Sequence, residues 1–368
     1  MQDVDGHLRG GIPERDIDAL ARYWQVIPAV RAALFKKANR PGFCQMKLTI
    51  ADVKPAIFGH PEFTAFKAGV DKLFARWKAT NTPHLKGFAQ DGHPKALIET
   101  LSEDLLATFA QAPLLDHYDI YQHLMDYWAE TMQDDCYLIT ADGWREAAKP
   151  RLVVEDKNKK TKEQPDFTVG KKKYKAELIP AALVIARHFA KEQAAIGKLE
   201  TDIAALQQQM EELAEEHGGE GGLLEDARND KDKLTKASVA ARLKEIKGDA
   251  DAADERKVLA DYLALSEQEA TANTALKATQ GSLMEKAFQQ YAKLTEDDIK
   301  TLLVDDKWLA ALAAAVQGEL DRASHTLTGR IRQLAERYST PLPQLTDEVV
   351  TLARRVEEHL KKMGAVWK

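Results

Sequence analysis

At 368 residues the chain is long enough for two or three domains, and its 44% hydrophobic content can fill their cores. A formal net charge of −6 excludes a globally basic nucleic-acid binder but leaves room for a local basic patch. No apolar run approaches the ~18 residues of a membrane span. The N-terminus lacks a leader's basic-then-apolar order, and Cys44 and Cys136 stand apart with no CxxC spacing, so neither a zinc site nor a disulfide framework is indicated. A soluble, cytoplasmic protein is the expectation.

The chain opens on DVDGHLRGGIPERDID, where Asp3, Asp5 and His7 alternate before Gly10 and Gly11 break the run. Three polar residues at a chain end read as a solvated loop rather than a cation site. Neither this stretch nor HGGEGG follows a strand in a βαβ unit, so neither reads as a phosphate loop. Pro13 suits a first helical position. Ile17, Leu20, Trp24 and Ile27 then recur at helical spacing, followed by Phe63, Phe66, Val70, Leu73 and Trp77. In PKALIETLSEDLLATF, Leu97, Leu101, Leu105 and Phe109 share a face. Residues 13–135 are therefore expected to form a helical domain whose aromatics are core. Asp126, Glu130, Asp134 and Asp135 mark an acidic helical face, expected to be solvated or salt-bridged.

Residues 136–180 change character. CYLITADGW has β-forming residues broken by Asp-Gly, RLVVED follows, and a lysine run leads into DFTVGKKKYKAELI. Two or three short strands are expected, with one hairpin pivoting between Asn158 and Asp166. Residues 149–175 hold ten cations and four acids, a net of +6 that leaves −12 for the rest. Lys157, Lys159, Lys160, Lys162, Lys171, Lys172, Lys173 and Lys175 could neutralise phosphates along a DNA backbone. Lysine-rich loops are equally common as plain solvated surface, and the residues alone leave both readings open. Aromatic interleaving is slight, so stacking on single strands is not expected.

From residue 181 the pattern is heptad. Phe189, Ile196, Ile203 and Met210 are seven apart, with Leu199, Leu206 and Leu213 three beyond the last three. The seam stops at HGGEGG. A second runs through Val258, Tyr262, Leu265, Ala272, Leu276 and Leu283, interrupted at Glu269 and Thr279. Residues 181–294 thus predict an antiparallel coiled-coil arm with a compact tip at about 215–252. In residues 295–368, Thr295 with Asp298 approaches a capping box. Leu309, Leu312, Val316, Leu320, Ala323, Leu327, Ile331, Leu334 and Tyr338 form a third seam. Pro341 and Pro343 stop it, and Leu345, Val349, Leu352, Val356, Leu360 and Met363 form a fourth. A C-terminal helical hairpin with apolar surface left for docking is expected. The fold class is mainly α: helical N-terminal domain, small β-hairpin element, long antiparallel coiled-coil hairpin and C-terminal helical hairpin.

Enzyme templates come out empty: the sequence contains no GxGxxG, GxxxxGK[ST], HExxH or GxSxG. Six stretches nevertheless carry a resemblance: DVDGHLRGGIPERDIDAL, HPKALIETLSEDLL, YDIYQHLMDYWAETMQDDCYLI, GGLLEDARNDKDKLTKASVAARLKEI, LTEDDIKTLLVDDKW and HLKKMG. Together they resemble, across essentially the whole chain, the C-terminal half of long bacterial type I restriction-modification methylation (M) subunits. The resemblance implies an N6-adenine DNA methyltransferase that acts with a specificity (S) subunit, usually two M with one S, and that a restriction subunit converts into a nuclease. The family's glycine loop and Asn-Pro-Pro-aromatic motif have no counterpart here, so no catalytic, cofactor or metal residue carries over. S-adenosylmethionine is expected for the full-length parent and not for this chain, and residues 1–12 read as a linker from an absent catalytic domain.

The resemblance further implies docking onto the specificity subunit through C-terminal helices, here Leu320, Leu327, Ile331, Leu334, Val349, Leu352, Val356 and Leu360. It also inclines the lysine hairpin towards double-stranded DNA. A coiled-coil interaction protein unrelated to methylation is the alternative, and no membrane partner is expected.

Overall fold

The computed structural model describes residue 6 and residues 11–153, 164–219, 221–229, 231–249, 251–339 and 342–363. The fold is mainly helical, with two small three-stranded antiparallel sheets. The chain divides into two compact units, residues 1–141 with 304–368, and residues 142–303.

In the first unit, β1 (Ile12–Pro13) precedes three short helices, α1 (Glu14–Asp18), α2 (Ala21–Trp24) and α3 (Pro28–Leu34). Pro13 sits one residue before the helix, closing a strand rather than opening a turn of helix. Strands β2 (Phe35–Lys37) and β3 (Phe43–Met46) complete a sheet of order β1-β3-β2. Its strands are two to four residues long, too short for alternation to show against the surrounding helical spacing.

Helices α4 (Ile50–Phe58), α5 (Pro61–Lys86), α6 (Pro94–Phe109) and α7 (His117–Tyr127) follow. Trp77 is wholly buried, and its indole donates to the Leu101 carbonyl at 3.2 Å, pinning α5 to α6. After a π-helical turn at Trp128–Met132 comes α8 (Gln133–Ala147). CYLITADGW is therefore helical, not β. Met132, Cys136 and Ile139 are fully buried at three- and four-residue spacing, so core packing overrides the β-branched composition. The Asp-Gly break survives as a kink at Gly143, with φ 76° and ψ 165°.

The second unit holds β4 (Arg151–Leu152), β5 (Phe167–Val169) and β6 (Lys172–Lys175), in the order β4-β6-β5. The tight hairpin joins β5 to β6 through Gly170, at φ 62°, and Lys171. It does not pivot between residues 158 and 166, because β4 pairs with β6 and not with β5. Tyr174 and Phe167 lie opposite one another and pack on Phe288, at ring centroid distances of 4.7 and 5.4 Å. The Tyr291 hydroxyl donates to the Ile179 carbonyl at 2.6 Å, which ties this base to the strand-to-helix connection.

Above that base, α9 (Ala181–His188) leads into α10 (Ala190–His217), which pairs with α12 (Ala253–Tyr291). Lys286 meets Glu192, Gln280 meets Glu200, and Gln207 meets Glu269. One index rises as the other falls, so the pair is antiparallel. Glu269, which breaks the apolar seam, sits at a point where Gln207 on α10 can donate to it. The two helices are closed off by a folded tip. There a single turn (Glu225–Ala227) and α11 (Lys236–Glu245) enclose Leu224, Ala227, Val239, Ile246, Leu259 and Tyr262. Arg242 clasps this tip through Glu255 at 2.7 Å and Asp226 at 2.9 Å.

After α12, α13 (Glu296–Lys300) begins with Thr295 and Asp298 capping each other reciprocally, as their spacing predicts. A π-helical stretch, Thr301–Leu309, passes into α14 (Ala310–Arg337) and then α15 (Leu342–Lys362). Helix α14 packs against α4, α5 and α7. Leu312, Val316, Leu320, Leu327 and Ile331 on it are almost fully buried. Its apolar stripe is packed in the first unit's own core, with Leu334 half-buried at its end. The expectation placed the stripe outside because spacing fixes which face of a helix is apolar but not what covers that face.

Candidate nucleic-acid interface and docking helix

Of the eight lysines expected on DNA, Lys157, Lys159, Lys160 and Lys162 lie outside the described residues. The other four are divided by the pleat of β6. Lys171 stands at the hairpin turn and is exposed. Lys172 is on the side of Tyr174, whereas Lys173 and Lys175 are on the opposite side, across from Thr168 and Arg151 respectively. Lys175 is already paired with Asp166 at 2.9 Å, and Arg151 with Glu177 at 2.6 Å. Asp166 also accepts from the Ala176 amide at 2.8 Å, so it serves the strand geometry as well as the charge. Lys171, Lys172 and Lys173 are exposed on the described part of this hairpin. Three adjacent lysines on a two-residue turn and its outgoing strand can meet phosphate oxygens as point charges without reading sequence.

The eight docking residues separate into two groups. Leu320, Leu327 and Ile331 are core residues of α14, and Leu334 is half-buried at its end. On α15, Val349 is 64% exposed and Leu352 and Val356 are each 57% exposed, while Leu360 is half-buried. Leu345 and Met363 extend the exposed stripe at both ends. Most helical stability in proteins comes from packing of an apolar face, and an exposed apolar patch marks an interaction surface. Helix α15 therefore presents an apolar stripe to solvent, whereas the corresponding residues of α14 are packed.

The acidic face proposed for Asp126, Glu130, Asp134 and Asp135 also divides. The first three are exposed. Asp135 is buried, with Lys307 Nζ at 2.7 Å and the Trp308 indole donating at 2.8 Å. Burial pushes the Asp135 carboxyl up, and Lys307 and Trp308 pull it back towards the ionised form. The same burial lifts the neighbouring Tyr127 hydroxyl well above its ordinary value, and the Cys136 thiol up to about 12, so that thiol is unreactive at neutral pH. This cluster joins the helix that carries Asp135 to the stretch that carries Lys307 and Trp308. Sequence reasoning missed it because no local signal links Asp135 to Lys307.

A cleft of about 620 Å³ lies where the tip meets the arm, lined by Gln207, Met210, Arg228, Lys233, Tyr262 and Glu269 among others. Arg228 is committed to the Gly218 carbonyl at 2.9 Å and to Asp232 at 3.0 Å, so it braces the tip. Among the described residues no group of three or more His, Cys, Asp or Glu side chains could hold a metal ion. Asp3, Asp5 and His7 fall outside the described residues. No helix among them is long and apolar enough to cross a membrane. Comparison of the chain with protein-family models, with curated proteins and with solved structures gave no match.

Proposed function

We propose that this chain is the non-catalytic C-terminal region of the methylation subunit of a type I restriction-modification enzyme. Its parent would be an N6-adenine DNA methyltransferase that uses S-adenosylmethionine and assembles with a specificity subunit and a restriction subunit. In this reading α15 docks on helices of the specificity subunit, and Lys171, Lys172 and Lys173 lie along the backbone of double-stranded DNA. The observation that carries it is the apolar stripe of α15, exposed on Val349, Leu352 and Val356, whereas Leu320, Leu327 and Ile331 of α14 are packed. The six stretches that resemble M subunits give the stripe its partner.

Co-expression with the specificity subunit encoded alongside should give a complex that survives purification. Val356→Glu should abolish it without changing helicity measured by circular dichroism, because the side chain touches no core. Undiminished capture of the Val356→Glu chain would sink the proposal. The coiled-coil interaction protein remains the competing reading, favoured by an arm whose tip has its own buried core. Failure to bind any specificity subunit, with both partners folded, would favour it.

A further inference from the structure

The stripe on α15 has a period that fits one more occupant. Leu345, Val349, Leu352, Val356, His359 and Met363 follow one another at alternating intervals of four and three, so they occupy successive a and d positions of a heptad. Glu348, Arg355 and Lys362 then fall at the g positions, and Thr346, Ala353 and Leu360 at the e positions. We propose that α15 of the free chain pairs antiparallel with α15 of a second copy, masking the stripe until the specificity subunit takes its place. The masking clause rests on the reading above; the pairing itself does not.

Charge selects both the occupant and the direction. In an antiparallel pair centred near residue 354, Val356 packs on Leu352 of the second copy, Leu345 on Met363, and Val349 on His359. Facing g positions bring Glu348 opposite Lys362 twice, and facing e positions bring Ala353 opposite Ala353 and Leu360 opposite Thr346. A parallel pair would stack His359 on His359 and set Glu348 beside Ala353 and Arg355 beside Leu360, with no ion pair at all. The antiparallel arrangement has one like-charge contact, Arg355 against Arg355 at the centre, which keeps the association weak and reversible. A weak pair is what an element destined for exchange requires.

Sedimentation velocity of the full 368-residue chain over a concentration series should show a monomer–dimer equilibrium, with Val356→Glu monomeric throughout. Glu348→Lys and Lys362→Glu should each weaken the dimer, by about tenfold, through two like-charge contacts apiece, and the double variant should restore it. Arg355→Leu should tighten it by a similar factor. With Leu345→Cys and Met363→Cys in one chain, oxidation should link two copies, whereas Leu345→Cys alone should link poorly, because Cys44 and Cys136 are buried. A chain that stays monomeric at every concentration would overturn the inference, as would efficient crosslinking by Leu345→Cys alone. Capture of the specificity subunit is read separately, so loss of one property leaves the other measurable.

Discussion

Lys307 and Asp135 are 172 residues apart in the chain and 2.7 Å apart in space. Removing one partner of such a pair leaves the other charged and buried, which typically costs ~3–5 kcal/mol, while removing both can be nearly neutral. Lys307→Met should therefore destabilise the protein by about that amount in urea unfolding, and Lys307→Met with Asp135→Asn should recover most of it. Glu319 behaves differently. Burial alone would raise its carboxyl, but hydrogen bonds from His123 and Arg322 hold it below the ordinary carboxylate value. A depressed folded-state value means that its stabilisation is present above the unfolded value of ~4.3 and is lost as pH falls through the folded one. Glu319→Gln should consequently flatten the acid limb of a melting-temperature profile and leave the slope near neutrality unchanged. Neither pair was legible in the sequence, where Glu319 is one polar residue in an amphipathic helix and Asp135 one of two adjacent acids.

Helices with long periodic stripes were legible throughout, and the short or ambiguous elements were not. The arm's two seams show up as the less exposed rows of α10 and α12, because heptad spacing is a local property that two helices satisfy together. CYLITADGW went the other way: its β-forming composition was overruled by burial of Cys136 and Ile139 on a helical face. The lysine hairpin was legible as charge but not as geometry, since its turn depends on Gly170 and its faces on the β4-β6-β5 order. Among the described residues, Lys171, Lys172 and Lys173 are the exposed lysines of this hairpin. Replacing Lys171, Lys172 and Lys173 by Ala should lower the slope of log binding constant against log salt by up to about three, with little change in sequence preference. A slope equal to that of the unaltered chain would remove the hairpin from the interface.

On the scale of the whole molecule, the second unit carries a core at the far end of the arm that is separate from the aromatic base around Phe288. Small cores of this kind open locally at less than the free energy of global unfolding. Leu259→Ala, which removes a fully buried side chain from the tip, should cost ~2–5 kcal/mol there. Hydrogen exchange should speed up across residues 224–262 and stay unchanged around Trp77 and Phe109. Faster exchange in both places would mean that the tip and the first unit unfold as one.

What the sequence determined by itself was the set of periods: four apolar helical seams, the arm and its break at HGGEGG, the Thr295 cap, and the basic stretch at 149–175. Each depends on residues within a few turns of one another, where side-chain spacing alone fixes the answer. Only the tertiary structure decided which seams were covered. Helices α14 and α15 have the same pattern, yet α14 is buried against α4, α5 and α7 while α15 presents Val349, Leu352 and Val356 to solvent. Burial is a property of what the rest of the chain brings to a face, and no period records it.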